Sequence, residues 1–208
     1  MTYGLDLLGS QRACAIIRAQ SSAVAVAAAR AAIQGGMRVV EVTMNTPGAL
    51  DAIRELAAAG EALVGAGTVL DSATADAVLE AGGRFIVSPH VDPSLIRHVV
   101  GRGALCIPGA MTPTEVHTAR TAGAQVIKIF PAACVGGPEF VRLLRGPFSD
   151  VRLFPTGGVT PSNVREYLAA GAFAVGLTGW LFPKEALESG DWELVRQRAV
   201  ALRAQLDS

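Results

Sequence analysis

The chain has 208 residues, 50% of them hydrophobic, and a formal net charge of zero. That much apolar material supports one substantial core. The balanced charge gives no electrostatic footing for nucleic acid or an anionic membrane surface, so any anion recognition must be local. No apolar run approaches the roughly 18 residues of a membrane-spanning helix. The opening MTYGLDLLGSQRA also lacks the cationic region and apolar stretch of an export signal, so the sequence reads as a soluble cytoplasmic protein. Cys14, Cys106 and Cys134 are odd in number and unclustered. Free thiols in a reducing compartment suit that pattern better than disulfides or a metal site.

Residues 1–13 read as an N-terminal helix. From residue 14 onward, short apolar runs alternate with alanine- and leucine-rich amphipathic stretches. The runs cover 14–18, 39–44, 63–69, 85–89, 104–108, 126–131, 152–156 and 173–178. Each is apolar throughout, as a buried parallel strand is. Thr46-Pro47, Asp92-Pro93, Thr112-Pro113 and Thr160-Pro161 each set a capping side chain before a proline at the first helical position, and Glu115 completes a capping box with Thr112. Gly35-Gly36, Gly60, Gly82-Gly83, Gly101, Gly123 and Gly171 stand where helix C-caps belong, shortly before the next strand. Eight strand–helix units without a break in composition predict an α/β protein: one (β/α)8 barrel domain over 1–208, with the barrel itself at 14–208. An open doubly wound sheet is the competing architecture. Against it, no Gly-x-Gly-x-x-Gly turn follows the first run.

Barrels of this kind build their sites at the C-terminal ends of the strands. In chain order those ends carry Arg18, then Glu41, Thr43 and Asn45, then Gly65-Ala-Gly-Thr68, then Ser88-Pro89-His90. Pro108-Gly109 and Thr112 follow, then Lys128, Thr156-Gly157-Gly158 and Gly176-Leu-Thr178-Gly179. Lys128 stands out because 16 of the 18 cationic residues are arginine, and this lysine lies between Ile127 and Ile129. A guanidinium is not a usable nucleophile, whereas a desolvated lysine amine can form a Schiff base with a carbonyl. The alternative is a lysine whose stem lies along the sheet while its head reaches solvent or a carboxylate. Glu41, between Val40 and Val42, is a second charge in an apolar strand. A carboxylate there needs a partner, and Lys128 is the plausible one. The two together form either a structural ion pair or the amine and proton relay of carbinolamine chemistry. Gly157, Gly158 and 176–179 follow the seventh and eighth runs, where such barrels hold phosphate on converging backbone N–H groups. Plain tight turns are the other reading of those glycines.

Glu41-Val-Thr, Gly65-Ala-Gly-Thr68-Val, Ser88-Pro89, Pro108-Gly109 with Thr112-Pro-Thr-Glu115, Lys128-Ile-Phe-Pro131-Ala, Pro155-Thr-Gly-Gly158-Val and the string from Gly176 through Trp180-Leu occur in this order at strand ends. Together they resemble the 2-keto-3-deoxy-6-phosphogluconate (KDPG) and 4-hydroxy-2-oxoglutarate (KHG) aldolases, from about Ala15 to the end of the chain. The resemblance implies a homotrimeric class I aldolase barrel without metal or cofactor. Such an enzyme cleaves 2-keto-3-deoxy-6-phosphogluconate to pyruvate and glyceraldehyde 3-phosphate, with 4-hydroxy-2-oxoglutarate as a second substrate yielding pyruvate and glyoxylate. It also implies roles. Lys128 is the Schiff-base lysine and Glu41 the acid/base. Thr68 holds the pyruvyl carboxylate, and Pro89 and Phe130 wall the pyruvyl pocket. Arg18 neutralises an anionic end of the substrate unless it serves a strand-end ion pair, and Gly157, Gly158 and Gly176 cradle the phosphate.

The chain departs from the family pattern at three places. Asn45 stands where many members have arginine, and Asn45-Thr-Pro47 is closer to the 6-phosphogalactonate branch. Thr178-Gly179 replaces a glycine and a phosphate-binding serine, which leaves Thr178 as the hydroxyl at that loop. His90 replaces a common glycine. Two other classes remain open: a phosphate-binding isomerase or decarboxylase that uses Lys128 and Glu41 without a covalent adduct, and a noncatalytic sugar-phosphate-binding barrel.

Overall fold

The computed structural model describes residues 2–207. Its first helix, α1 (Thr2–Gln11), ends where Arg12 takes a left-handed φ of 58° and turns the chain into β1 (Ala13–Ile17). The predicted N-terminal helix therefore stops two residues early; its residue 1 lies outside the described residues. Strands and helices then alternate: α2 (Ser22–Gln34), β2 (Val39–Thr43), α3 (Ala49–Ala59), β3 (Leu63–Gly67), α4 (Ser72–Glu80), β4 (Phe85–Val87), α5 (Pro93–Gly101) and β5 (Leu105–Ile107). Pro108 offers no N–H, so the fifth apolar run breaks there and resumes as β6 (Gly109–Ala110). After it come α6 (Pro113–Thr121), β7 (Ile127–Ile129), a 3-10 turn (Ala132–Val135), α7 (Gly137–Arg145), β8 (Leu153–Pro155), α8 (Val164–Ala169), β9 (Val175–Leu177), α9 (Lys184–Ser189) and α10 (Trp192–Leu206).

The result is an α/β fold of parallel strands. Six strands form one sheet in the order β5-β4-β3-β2-β1-β9, and β6-β7-β8 form a second. The sequence predicts one eight-stranded sheet, so the observed split into six and three is a difference. Its origin is local: each predicted run holds a strand, but most are three residues long and the fifth is interrupted. The two sheets are linked through Pro108 on one side and by a parallel bridge between Thr156 and Gly176 on the other.

Every strand position is buried, because both faces are covered. One face packs against the helices through Ala15, Ile17, Val40, Val42, Ala66 and Ile86. The other gathers Cys14, Ile16, Val39, Leu63, Phe85, Val87, Ile107 and Phe154 into an inner cluster, and Leu8 of α1 joins it. Glu41 and Lys128 share the inner-face phase of Val39 and Val126, so the fold places both charges inside the molecule.

Two of the four predicted threonine and aspartate caps form: Asp92 accepts from Ser94 and Leu95 N–H, and Thr112 closes a capping box with Glu115. Thr46 does not cap α3, which starts from Gly48; its buried hydroxyl instead accepts from Ala19 N at 3.1 Å and ties the ends of β1 and β2 together. Thr160 likewise precedes a turn, and α8 starts only at Val164, with Asn163 before it. Gly101 remains helical; the left-handed residue after α5 is Gly103, with φ 76°.

Candidate active site

Glu41 sits at the centre of β2, opposite Ile16 on β1 and Gly65 on β3. Its side chain is 1% exposed, and its room comes from glycine: a Cβ at Gly67 would overlap the Glu41 carboxylate, and one at Gly65 would overlap Phe85. That is the reason for Gly65-Ala-Gly67 in β3. The composition of the string was visible in the sequence, but its cause depends on the cross-strand register.

Glu41 Oε2 has no hydrogen-bond partner among the described residues. Burial pushes its carboxyl above the ordinary glutamate pKa, while Lys128 and, less strongly, Arg18 act in the opposite direction. Lys128 is 7% exposed at the centre of β7, and its Nζ lies 4.8 Å from the centroid of the Phe130 ring. The predicted pairing is therefore electrostatic and not a salt bridge: no Glu41–Lys128 ion pair forms among the described residues, although the lysine charge is felt at the carboxyl. Cys14, on the same inner face, also feels both charges; burial raises its thiol pKa well above the ordinary value, so it is an inert neighbour.

Thr156, at the end of β8, is 1% exposed, and its Oγ1 is likewise unpartnered among the described residues. It lies one position past Pro155, the partner of Ile129, and so beside the strand that carries Lys128. In the sequence it stands out only as part of Thr156-Gly157-Gly158. A hydroxyl without a partner can be recognised only in three dimensions. Gly176, expected in a phosphate cradle, is buried in β9, and a Cβ there would come within 2.5 Å of Thr156 Oγ1 and 2.6 Å of Ile16 Cδ1. Close packing accounts for this glycine.

Thr68 follows β3 with φ 59°, a left-handed conformation that a β-branched residue adopts only under strain, on the order of 1–3 kcal/mol. Hydrogen bonds on both sides enforce it: Met44 N donates to Gly67 O at 2.8 Å and Val69 N to Val87 O at 3.1 Å. Above the inner cluster, a cavity of about 320 Å3 opens between Ile16, Arg18, Thr43, Phe130, Thr178, Gly179 and Phe182. Arg18 is exposed and has no ion-pair partner among the described residues. Gly157 and Gly158, with φ near 90°, wrap the segment after Phe130; a Cβ at Gly157 would touch the Phe130 ring and Pro131 at 3.4 Å. Among the described residues the Gly158 and Gly179 N–H groups donate no loop or turn backbone hydrogen bond. Pro89, His90 and Asn45 are exposed on the loops after β4 and β2, and none of them lines the cavity.

The arrangement can therefore present a buried amine and a carboxyl able to hold a proton, a free hydroxyl, and a rim of N–H groups with a cation. Among the described residues no cluster of histidine, cysteine, aspartate or glutamate is placed to hold a metal ion, and no helix is long and apolar enough to cross a membrane.

Residues 6–198 match the family described as "Aldolase: KDPG and KHG aldolase". The KHG/KDPG aldolase of Escherichia coli strain K12 is 41% identical over 176 residues, covering 84% of this chain and 83% of that protein. The probable 2-dehydro-3-deoxy-6-phosphogalactonate aldolase of Rhizobium meliloti is 36% identical over 198 residues, covering 93% and 91%. A solved structure of KDPG aldolase from Legionella pneumophila, with pyruvate captured as a covalent carbinolamine intermediate, superposes with a TM-score of 0.88 at 30% identity, covering 95% of this chain and 97% of that one.

Proposed function

Since the chain belongs to the KDPG and KHG aldolase family, a family of lyases, we propose that Lys128 is its Schiff-base nucleophile and Glu41 its proton shuttle. The observation that carries this assignment is the buried Glu41 carboxyl, unpartnered at Oε2 and raised in pKa by burial, beside a buried lysine to which it is not salt-bridged.

Lys128 Nζ attacks the C2 carbonyl of the keto acid and forms a carbinolamine. Proton transfer through Glu41 lets water leave, which gives the protonated Schiff base. Glu41, now ionised, takes the proton of the C4 hydroxyl as the C3–C4 bond breaks. The electron pair of that bond passes into the iminium, the aldehyde departs, and an enamine remains. Glu41 returns the proton to C3, and hydrolysis frees pyruvate and the lysine. Protonated Glu41 is useful in the first half-reaction and ionised Glu41 in the second. A pKa raised toward neutrality by burial but restrained by Lys128 and Arg18 suits both.

Around this pair, Thr68 and Thr156 offer hydroxyls to the pyruvyl carboxylate and the reacting oxygen. Phe130 forms a wall, and Pro89 borders the rim. Arg18, Thr178, Gly157 and Gly158 receive the phosphate, with Gly176 setting the close packing beneath them. Asn45 stands on the rim where the acceptor's stereocentre would pass. Its Asn-Thr-Pro string supports 2-keto-3-deoxy-6-phosphogalactonate as a second reading of the substrate. We take β5 and β6 as one interrupted strand, which makes eight strand positions, and the Thr156–Gly176 bridge as the closure of a single-domain (β/α)8 barrel. A homotrimer in the cytoplasm completes the proposal.

The distal-end assignment is tested by kinetics. Phosphorylated substrate should exceed 4-hydroxy-2-oxoglutarate in kcat/KM by on the order of two decades, the scale of a few charge-assisted hydrogen bonds. Equal efficiency would assign those loops to a carboxylate. Asn45→Arg should change the ranking of acceptor epimers more than it changes pyruvate binding, and a uniform loss across substrates would remove Asn45 from the site.

A further inference from the structure

The loop after β9 brings Thr178 and Gly179 to the cavity. Gly179 has no side chain, so what this stretch can give an anion is the Thr178 hydroxyl and its backbone N–H groups. Such donors bind well only when their direction is fixed beforehand, because ordering an exposed loop on binding consumes affinity. Thr178 and Gly179 are both exposed. What restrains them lies downstream. Phe182 N donates to Thr178 O at 2.9 Å and closes a turn, and Leu181 and Phe182 are buried beneath it. Between these anchors stands Trp180, which is gripped twice by one side chain. Arg198 Nη1 of α10 donates to the Trp180 carbonyl, and the Arg198 guanidinium lies over the Trp180 ring, 5.4 Å from its centroid.

We propose that Arg198 is a positioning residue for the distal, phosphate-bearing end of the substrate. A hydrogen bond alone would fix the place of the Trp180 carbonyl, and a ring contact alone the side chain. Together they pin Trp180, and with the turn closed by Phe182 N on Thr178 O they hold Gly179 between two fixed points, which limits how far its N–H and that of Trp180 can swing. The helix that carries Arg198 is a firm support. It is capped by Asp191, whose carboxylate accepts from Leu194 N at 3.0 Å, and it is rooted in the core through Val195, Ala199 and Leu202. α10 thus has anchors besides Arg198, whose own two contacts both fall on the loop. The inference rests on the aldolase reading and on phosphate lying at this loop.

The test uses the full-length protein and three probes: the phosphorylated keto acid, 4-hydroxy-2-oxoglutarate and inorganic phosphate. Arg198→Met keeps an apolar stem and removes both contacts. KM for the phosphorylated substrate should rise about tenfold with kcat held within about twofold, and Kd for inorganic phosphate, measured by calorimetry, should rise by the same factor. kcat/KM for 4-hydroxy-2-oxoglutarate should stay within about twofold of wild type. Arg198→Lys, which restores a donor but not the planar ring contact, should recover part of the phosphate affinity. If Arg198→Met does not fold, Trp180→Leu, which keeps the carbonyl and removes the ring, should shift KM and Kd in the same direction by a smaller factor. Equal losses on both substrates, or unchanged phosphate Kd, would overturn the proposal by making Arg198 a purely structural contact or an irrelevant one. Wild-type protein that binds inorganic phosphate yet traps no pyruvate would contradict the aldolase reading alone, since the Kd comparison does not depend on turnover. Wild-type protein that binds no phosphate would overturn the role of Arg198 while leaving the aldolase intact.

Discussion

A carboxyl that is 1% exposed, with one oxygen unpartnered among the described residues, works against folding, and β3 gives up two side chains to accommodate it and its neighbour Phe85. Glu41→Gln keeps size and removes the titratable proton. It should lower turnover by roughly 10² to 10⁴-fold while still accumulating pyruvate adduct slowly and exchanging pyruvate methyl protons with deuterated water very poorly. Exchange at the wild-type rate would identify another base and return Glu41 to a structural role. The same residue predicts a sign in the pH dependence of stability. Burial raises the folded-state pKa of Glu41 above its unfolded value. Its contribution is therefore fully present below the ordinary carboxylate range, about pH 4.3, and is lost as pH rises through the folded pKa. Urea unfolding of wild type and Glu41→Gln across that interval should show the difference moving in favour of the glutamine variant as pH rises, then levelling off. A difference moving the other way would mean that Lys128 and Arg18 outweigh the burial.

At the scale of elements, the caps separate what sequence can reveal from what it cannot. Asp92-Pro93 and Thr112-Pro113 behave as their local chemistry dictates because neither residue is buried and each side chain bonds its own helix. Thr46-Pro47 has the same local signal, but Thr46 is only 2% exposed and its hydroxyl is claimed by Ala19 N from the neighbouring strand end. Tertiary competition of that kind leaves no trace in the string itself. The strands were legible to within a residue or two, since both faces are covered and the runs are apolar throughout. The break at Pro108 and the purpose of Gly65 and Gly67 were not, because they depend on register. Lys128 and Glu41 could be read as misfit charges in apolar strands, whereas Thr156 could be recognised only by its unpartnered hydroxyl. The box on α6 also gives a measurable quantity: Thr112 Oγ1 accepts from Glu115 N at 3.3 Å, and Glu115 Oε2 accepts from Thr112 N at 2.8 Å. Thr112→Ala should lower stability by about 1 kcal/mol in urea unfolding without changing kcat. A fall in kcat would show that α6 also disciplines Gly109 and, through its pairing, Lys128.

For the molecule as a whole, the parallel strands bring β2 and β7 to a common interior, so that two charges far apart in sequence share one low-dielectric site. If the protein is a homotrimer, sedimentation at micromolar concentration should give a three-chain mass, and a fully active monomer would remove assembly from the account. Covalent chemistry on one lysine is what sets the proposed aldolase apart from a noncovalent barrel enzyme. Incubation with pyruvate followed by borohydride reduction should add one reduced pyruvyl group per chain, and peptide mapping should place it on Lys128. Modification of exposed Lys184 instead, or no modification at all, would contradict it.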